Sequence, residues 1–584
     1  MNLDKNENGS KKFKQFDRAF FQSSDNFTCI GKGSLGGKAN GLAFIKDIIR
    51  DNITPEEFPQ IEIFVPRLTV ICTSYFDAFM NRNPFLKEFI NSNYSDERIA
   101  VEFQKADLPV EIVGDLRSII HDIKIPLSIR SSSMLEDKKE EPFAGIYATK
   151  MISNNQITVD ERFHKLTEAV KYVYASTFFK AAKDYLAATK NSPSDEKMAV
   201  IIQEVVGERF NDRFYPVISG VARSFNYYSI GKLKPEQGVV NLALGLGKTI
   251  VDGDISWTYS PATPKISPPY ANSNDLLKNT QTKFWAVNMG HIPQYDPVNE
   301  IEFLSNPDLT DAEEDGTLKF IASTFSVSSN RIVMGIGQEG PRALNFAPIL
   351  QLNEFGFNNL IRKLLTICSD TFENPVEIEF ACTIDIINKK LRFGFLQVRP
   401  MVAYSENIEI NDDELNSDNV LISSDNVLGN GVIENISDIV FVKHESFDKK
   451  YTPQIALEID SINKELLNRK SPYLLIGYGR WGSSDPWLGI PVEWGQIAGA
   501  KVIVETTLPG INVELSQGSH FFHNLTSFKV SYFSIHHESE NKIDYNWLNK
   551  QKTINEKSFI KHVKLVSPLK IKIDGRTGRG IIVK

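Results

Sequence analysis

Five side chains in this sequence have the types and neighbours that phosphate chemistry needs: Lys38, Arg130, Glu379, Gln397 and Arg399. Lys38 lies in a glycine-rich segment, GKGSLGGKANGL, at 31–42. There Gly36 and Gly37 allow backbone N–H groups to approach an anion, and the dipole of a helix starting near Ala39 favours negative charge. Lys38 would add a point charge. Ala39 stands where a Walker A loop requires Ser or Thr, so this is not that loop. A plain glycine turn carrying a surface lysine is the competing interpretation. Arg130 opens IRSSSMLED at 129–137, a strand end with three hydroxyls and two carboxylates. A guanidinium binds phosphate bidentately, and Ser131 and Ser132 can donate to phosphate oxygens. Glu136 and Asp137 equally suit a helix cap.

The other three residues sit on two adjacent β-type runs. EIEFACTIDI and LRFGFLQVR, joined at Asn388-Lys389-Lys390, predict a hairpin over 374–399. Glu377 and Glu379 share one face of the first strand, Gln397 and Arg399 one face of the second. Carboxylate and amide oxygens suit Mg²⁺, while an exposed cross-strand salt-bridge ladder is the alternative. Two further segments fit a nucleotide site or an ordinary turn equally well. In QEVV at 203–206, the backbone after a strand can meet an adenine edge. NLALGLGKTIVDG at 241–253 can form a second anion loop.

These residues need a sheet-rich frame, and the pattern supplies one. Residues 61–73 read as one β segment, 74–93 as a helix, 125–131 as a short strand, and 160–189 as one or two long helices. MAVIIQEVV at 198–206 is a continuous apolar run, expected to be a central strand. The stretches 272–281 and 293–314 read as loops. The acidic run ENIEINDDELNSD at 406–418 is the linker expected before a smaller C-terminal region. The chain has 584 residues, too many for one core. The organisation expected is a polar leader (1–25), an N-terminal lobe (26–195), a second lobe (196–405), a linker (406–418) and a C-terminal domain (419–584).

Composition narrows the function classes. A net charge of −8 disfavours a general nucleic-acid binder. The four cysteines lie far apart without a CxxC pair, which disfavours a disulfide scaffold or a zinc site. The N-terminus lacks the apolar core of a signal peptide and no run of 18 apolar residues occurs, so a cytoplasmic location without membrane insertion is expected.

Taken in order, LGGKANGL, IRSSSMLED, PFAGIY, the Gln203 strand, SGVAR, LGLGKTIVDGD, EIEF and LQVRP resemble the nucleotide-binding domain of the phosphoenolpyruvate synthase and pyruvate, phosphate dikinase family. The resemblance covers roughly residues 27–402. It implies an α/β (α+β) chain with a two-lobed, ATP-grasp-like domain that binds ATP and Mg²⁺. By that resemblance Lys38 and Arg130 contact phosphates, with Gly36, Gly37, Ser131 and Ser132 around them. Glu379 and Gln397 hold the metal, Arg399 meets the γ-phosphate, and Gln203, Glu204 and Val206 line the adenine. Family members continue into a swivelling phosphohistidine domain and a pyruvate-binding barrel. About 180 residues follow LQVRP here, whereas an eight-stranded barrel alone takes ~250. The barrel is therefore expected to be missing, and the phosphoryl acceptor is not legible.

The C-terminal region keeps a trace of a swivelling domain. In VIVETTLPGINVELSQGSHFFHNLTSFKVSYF at 502–533, His520 falls where the resemblance places the carrier histidine. A remodelled domain in which His520 and His523 are ordinary polar residues is the alternative. The loop GYGRWGSSDPWLGIPVE at 477–493, with Arg480, Ser483, Ser484 and Asp485, reads as an acceptor loop or a rigid structural turn. The function these features lead to is an ATP- and Mg²⁺-dependent phosphotransferase of the dikinase type. The alternatives are a nucleotide sensor that kept only the ATP site, and a half-enzyme that phosphorylates a separate protein.

Overall fold

The computed structural model describes residues 13–23, 25–90, 92–133, 145–188, 196–226, 234–266, 273–278, 280–401, 408–415, 417–483, 487–508, 525, 530–539, 543–575 and 577–584. Three large sheets, with helices packed between and around them, give the mixed α/β architecture that the sequence predicted.

The first sheet runs, edge to edge, Lys14–Gln15, Phe27–Ile30, Leu68–Ile71, Met198–Glu204, Leu127–Ser133 and Thr149–Ile152. The apolar run at Met198 is central, as expected. Met198, Val200 and Ile202 enter one core while Ala199 and Ile201 enter another. A strand covered on both faces needs no polar alternation. The N-terminal segment expected to be a polar leader already takes part: Lys14–Gln15 pairs in parallel with the Phe27 strand, and Phe13 and Phe20 are buried.

The second sheet runs Trp257–Tyr259, Val239–Ala243, Ile218–Arg223, Val376–Asp385, Lys390–Pro400 and Ile61–Phe64. The β segment expected over 61–73 is thus two strands in two different sheets. Pro66 between them cannot donate to a ladder, so the chain changes sheets there. The expected helix over 74–93 is the helix Thr73–Arg82 followed by a 3-10 turn, Pro84–Phe89; the α-helix stops at Asn83, just before Pro84. Two stretches expected to be loops contain short helices, Ser273–Lys278 and Leu309–Glu314. Asp308 caps the second by accepting from the Thr310 N–H at 2.8 Å. Neither helix is long enough to show a clear 3.6-residue period, which is why both were missed.

The hairpin 376–400 contains one irregularity on which the site depends. Ile378, Phe380 and Cys382 face the core, paired with Val398, Phe395 and Phe393 respectively. Along the second strand the core positions are therefore 391, 393 and 395, then 398. Leu396 is an extra residue, and the register shifts between Glu379 and Phe380. Strict alternation would have sent Gln397 and Arg399 into the core with Phe393 and Phe395. The bulge inverts the phase and turns both to the face that carries Glu377 and Glu379.

The third sheet, built from residues after 418, runs Val420–Ser424, Arg579–Val583, Ile560–Asp574, Gly431–Val442, Tyr473–Tyr478, Ala500–Thr506, Ser531–Ile535 and Val427–Leu428, with Lys552–Glu556 paired to the Ile560 strand. Its strands Gly431–Val442, Tyr473–Tyr478, Ala500–Thr506 and Ser531–Ile535 are mutually parallel. Helix Thr452–Asn468 makes the first crossover. His520 and His523 lie outside the described residues, as do Ser484, Asp485, Glu136 and Asp137. The acidic segment expected to be a linker includes a short helix, Asp412–Leu415, moored to this sheet by Glu414–Lys572 and by Asp412–Arg579 at 2.8 Å. Charge complementarity holds it where composition alone suggested solvent. Deleting Leu396 should restore a regular register and leave Gln397 and Arg399 on the face of Glu377 and Glu379, because Phe395 and Gln397 then become consecutive and pair with the consecutive Phe380 and Glu379. The expected outcome of deleting Leu396 is a retained cooperative unfolding transition by circular dichroism, because no polar side chain enters the core, and loss of the transition would contradict this account of the bulge.

Candidate functional site

Helix Gly37–Asn52 packs against the Leu127 strand of the first sheet and the Lys390 strand of the second. The close approach at the start of this helix explains why Gly36 is glycine. Its φ is +75°, and a Cβ there would lie 1.7 Å from the Ser132 carbonyl oxygen. The Ala39 N–H donates to Ser132 Oγ at 3.3 Å, and that hydroxyl donates to the Leu35 carbonyl at 2.8 Å. Ser133 Oγ donates to Glu196. The serine cluster expected to meet phosphate is thus fully buried, and Ser132 and Ser133 hold the glycine segment and a neighbouring strand together. Ser131 Oγ accepts from Lys38 Nζ at 3.2 Å. Lys38 sits in the first helical turn, which carries no acidic residue. A cation at that end opposes the helix dipole, a cost that an incoming anion would offset.

Arg130 leaves the same strand toward the second sheet. Its Nη2 donates to Gln397 Oε1 at 2.7 Å, and its Nη1 to Gln203 Oε1 at 3.3 Å and to the Leu396 carbonyl at 3.5 Å. The bulge carbonyl, displaced from the ladder, thus finds a donor across the cleft. From Arg130 a line of alternating charge runs inward. Arg130 lies 3.9 Å from Glu379, Glu379 accepts from Arg399 Nη2 at 2.7 Å, and Arg399 Nε lies 2.9 Å from Glu377. Glu377 also accepts from Arg223 Nε at 2.7 Å, and Arg223 Nη1 donates to Asn241 Oδ1 at 3.2 Å. Strand register makes this line. Glu377 is paired with Arg399 and with Arg223, while Glu379 is paired with Gln397 and Val221. The inner end is the more deeply buried, with Glu377 side-chain exposure 2% against 14% and 16% for Arg130 and Glu379. Three guanidiniums face two carboxylates, so the line carries a net positive charge toward its accessible end.

Two amides beside Arg130 are incomplete. Gln203 Nε2 and Gln397 Nε2 are buried and have no hydrogen-bond partner among the described residues. Each orphaned donor costs about 1–3 kcal/mol, and an acceptor-rich ligand would satisfy both. Glu379 and Gln397 are directly paired, so their oxygens can share a hard cation. No group of three or more His, Cys, Asp or Glu that could hold a metal occurs among the described residues. A Mg²⁺ ion here would accordingly take much of its shell from phosphate and water, which is how that ion is commonly held.

The residues expected to line adenine divide. Gln203 joins the arginine by its side chain. The Glu204 and Val205 N–H groups are already given to the Arg67 and Pro126 carbonyls, both at 3.0 Å. Burial raises the Glu204 carboxyl above its usual range, and the Arg67 charge opposes that shift. Val206 is buried near Gly394. Arg223 and Asn241 were passed over as site residues although SGVAR and NLALGLGK were both singled out. The signal that would have found them is an arginine on a strand next to the one bearing two glutamates.

The family model of the pyruvate phosphate dikinase AMP/ATP-binding domain matches residues 32–418, about two thirds of the chain. The chain belongs to that family. Its AMP/ATP-binding domain is ATP-grasp-like and contains every residue of the alternating-charge line. No curated protein matches the chain. The third sheet lies beyond the dikinase-type domain but is tied to it: Arg480 Nη1 donates to the Gly253 carbonyl at 2.7 Å, at the end of the LGLGKTIVDG segment. Among the described residues no helix is long and apolar enough to cross a membrane. Glu377→Gln removes the charge shared by Arg223 and Arg399 and is expected to destabilise this domain by about 3 kcal/mol. The check is a lower urea midpoint, with Glu62→Gln at the exposed Arg392 pair as a control that should change little.

Proposed function

We propose that the cleft between the first two sheets binds the triphosphate of ATP, and that the chain is an ATP- and Mg²⁺-dependent phosphotransferase of the dikinase type. The observation that carries this is Arg130 set between two buried glutamine amides whose N–H groups have no acceptor among the described residues. Phosphate oxygens would complete those amides and take over guanidinium donors now spent on Glu379 and Gln397. Lys38, at the helix start, donates to Ser131, the residue after Arg130. Arg399 is oriented from behind by Glu377, so its position is fixed before nucleotide arrives. Phosphoryl transfer relies on positioning and charge neutralisation more than on covalent steps by the protein. Mg²⁺, held by Glu379 and Gln397, would neutralise developing charge on the phosphates. The acceptor is a histidine of the chain, for which His520 is the candidate, or a separate molecule.

The test uses ATP labelled at the β- or γ-phosphate, with Mg²⁺ and the full chain. The expected result is acid-labile label on the protein, abolished by His520→Ala, with AMP or ADP released according to whether two phosphoryl groups leave or one. Arg399→Ala and Glu379→Ala should each lower turnover at least ~100-fold while ATP still binds. Undiminished turnover in both variants would refute the site. Label that survives His520→Ala would remove that residue as carrier and leave the nucleotide site standing.

A further inference from the structure

The third sheet carries a cavity that the nucleotide site does not use. Four parallel strands, Gly431–Val442, Tyr473–Tyr478, Ala500–Thr506 and Ser531–Ile535, end on the same edge. Beyond those ends lies a cavity of about 310 Å³. Each of the four strands contributes to its wall: Phe441, Lys443, His444 and Glu445 at the end of the first, Tyr478 at the end of the second, Thr506 to Leu508 at the end of the third, and Ile535 to His537 at the end of the fourth. Residues of 543–549 close another side. In open α/β sheets the crevice at the carboxyl ends of parallel strands is where ligands bind.

The wall contains a buried pair of phenols beside several imidazoles. The Tyr478 side chain is almost wholly buried, with 1% exposure for the residue. Its hydroxyl is buried in the cavity wall and makes no well-aligned hydrogen bond among the described residues; it interacts with the hydroxyl of Tyr545, which is equally buried. The two phenol rings stack at 6.4 Å, and His444 stands beside them at 5.7 Å from Tyr478 and 6.4 Å from Tyr545. Across the cavity the His536 and His537 rings lie 4.6 Å apart. His537 is steadied by Thr507, whose Oγ1 accepts the His537 N–H at 2.9 Å and lies 2.9 Å from Nδ1.

The inventory of groups indicates what would fit. Three imidazoles, two phenols, two threonine hydroxyls, two asparagine amides and the Lys443 ammonium face a single lining carboxylate, Glu445, while Glu538 stands outside the lining at 4.0 Å from His536 and 3.8 Å from His537. The ammonium is held by Glu556 and the Lys557 carbonyl, so it lends the wall charge more than free donors. A wall rich in donors calls for a ligand rich in acceptors. The volume is at the small end of the range for metabolite pockets, roughly 300–1,000 Å³. That suits a compact molecule of a few carbons better than a nucleotide.

We propose that this crevice is a second binding site, for a small metabolite bearing a carboxylate or phosphate oxyanion. The site stands apart from the ATP cleft and does not depend on the assignment made there. It is linked to that domain in sequence, because Tyr478 lies two residues before Arg480, which bonds Gly253.

Equilibrium dialysis of the full chain against labelled inorganic phosphate and, separately, labelled malonate tests the proposal and separates the two oxyanion classes. The expected result is saturable binding of at least one probe at one per chain, below about 10 mM. Tyr478→Phe and Thr506→Val, which keep the packing, should each weaken it roughly fivefold, and His444→Ala roughly tenfold, the loss of one good hydrogen bond or more. Arg130→Ala, which damages the ATP cleft, should leave it unchanged. Absence of binding by both probes would overturn the proposal. So would binding that survives Tyr478→Phe and Thr506→Val together, or binding lost in Arg130→Ala but kept in those two. Thermal unfolding of each variant identifies any that does not fold, and the two near-isosteric variants decide the matter if His444→Ala is one of them.

Discussion

The line Arg130–Glu379–Arg399–Glu377–Arg223 is the interaction on which the nucleotide-binding domain is organised. Five charges at this depth are tolerable only because each has a neighbour of opposite sign, and removing one member would leave its partners buried and uncompensated. The line also crosses between sheets. Arg130 comes from the first, the other four from the second, and the contact at Gln397 spans 267 residues of chain. An anion entering at the Arg130 end meets a positive charge already oriented by carboxylates behind it. Preorganisation of this kind is what makes charged groups effective in a cleft, because little rearrangement remains when the ligand arrives.

A small backbone defect makes the line possible. The extra residue Leu396 inverts the alternation of its strand, so an apolar series, Leu391, Phe393 and Phe395, gives way to a polar one, Gln397 and Arg399, without a change in sequence period. The same residue offers its carbonyl to Arg130. At the opposite wall Gly36 lets the helix start approach the Ser132 backbone more closely than any side chain would allow. Bulge and glycine both exchange regularity of the local fold for the placement of a charged group.

Much of this was legible in the sequence, for identifiable reasons. The central Met198 strand was readable because burial on both faces gives an unbroken apolar run. The hairpin was readable from its two β-rich runs, and a spacing of two puts Glu377 and Glu379 on one face of their strand and Gln397 and Arg399 on one face of theirs. What the spacing could not reveal was the bulge, since Leu396 looks like any apolar strand residue. For the serines the sequence leaves two readings open, because a hydroxyl beside an arginine suits a phosphate and a backbone staple equally, and the structure adds their burial and their backbone partners. Arg223 and Asn241 were missed because their neighbours in space are more than a hundred residues away along the chain or sit on the opposite side of a turn. The break between Ile61–Phe64 and Leu68–Ile71 was signalled by Pro66, yet that the two strands join different sheets is decided by tertiary pairing.

The account stands or falls on where a nucleotide sits. The most direct measurement is a crystal structure of the full chain with a non-hydrolysable ATP analogue and Mg²⁺. The expected result places the triphosphate between the two sheets, with its oxygens within hydrogen-bond distance of Arg130, Arg399 and Lys38, and with the Gln203 and Gln397 N–H groups satisfied. A nucleotide bound elsewhere, with the Arg130–Gln397 and Arg399–Glu379 contacts undisturbed, would contradict it.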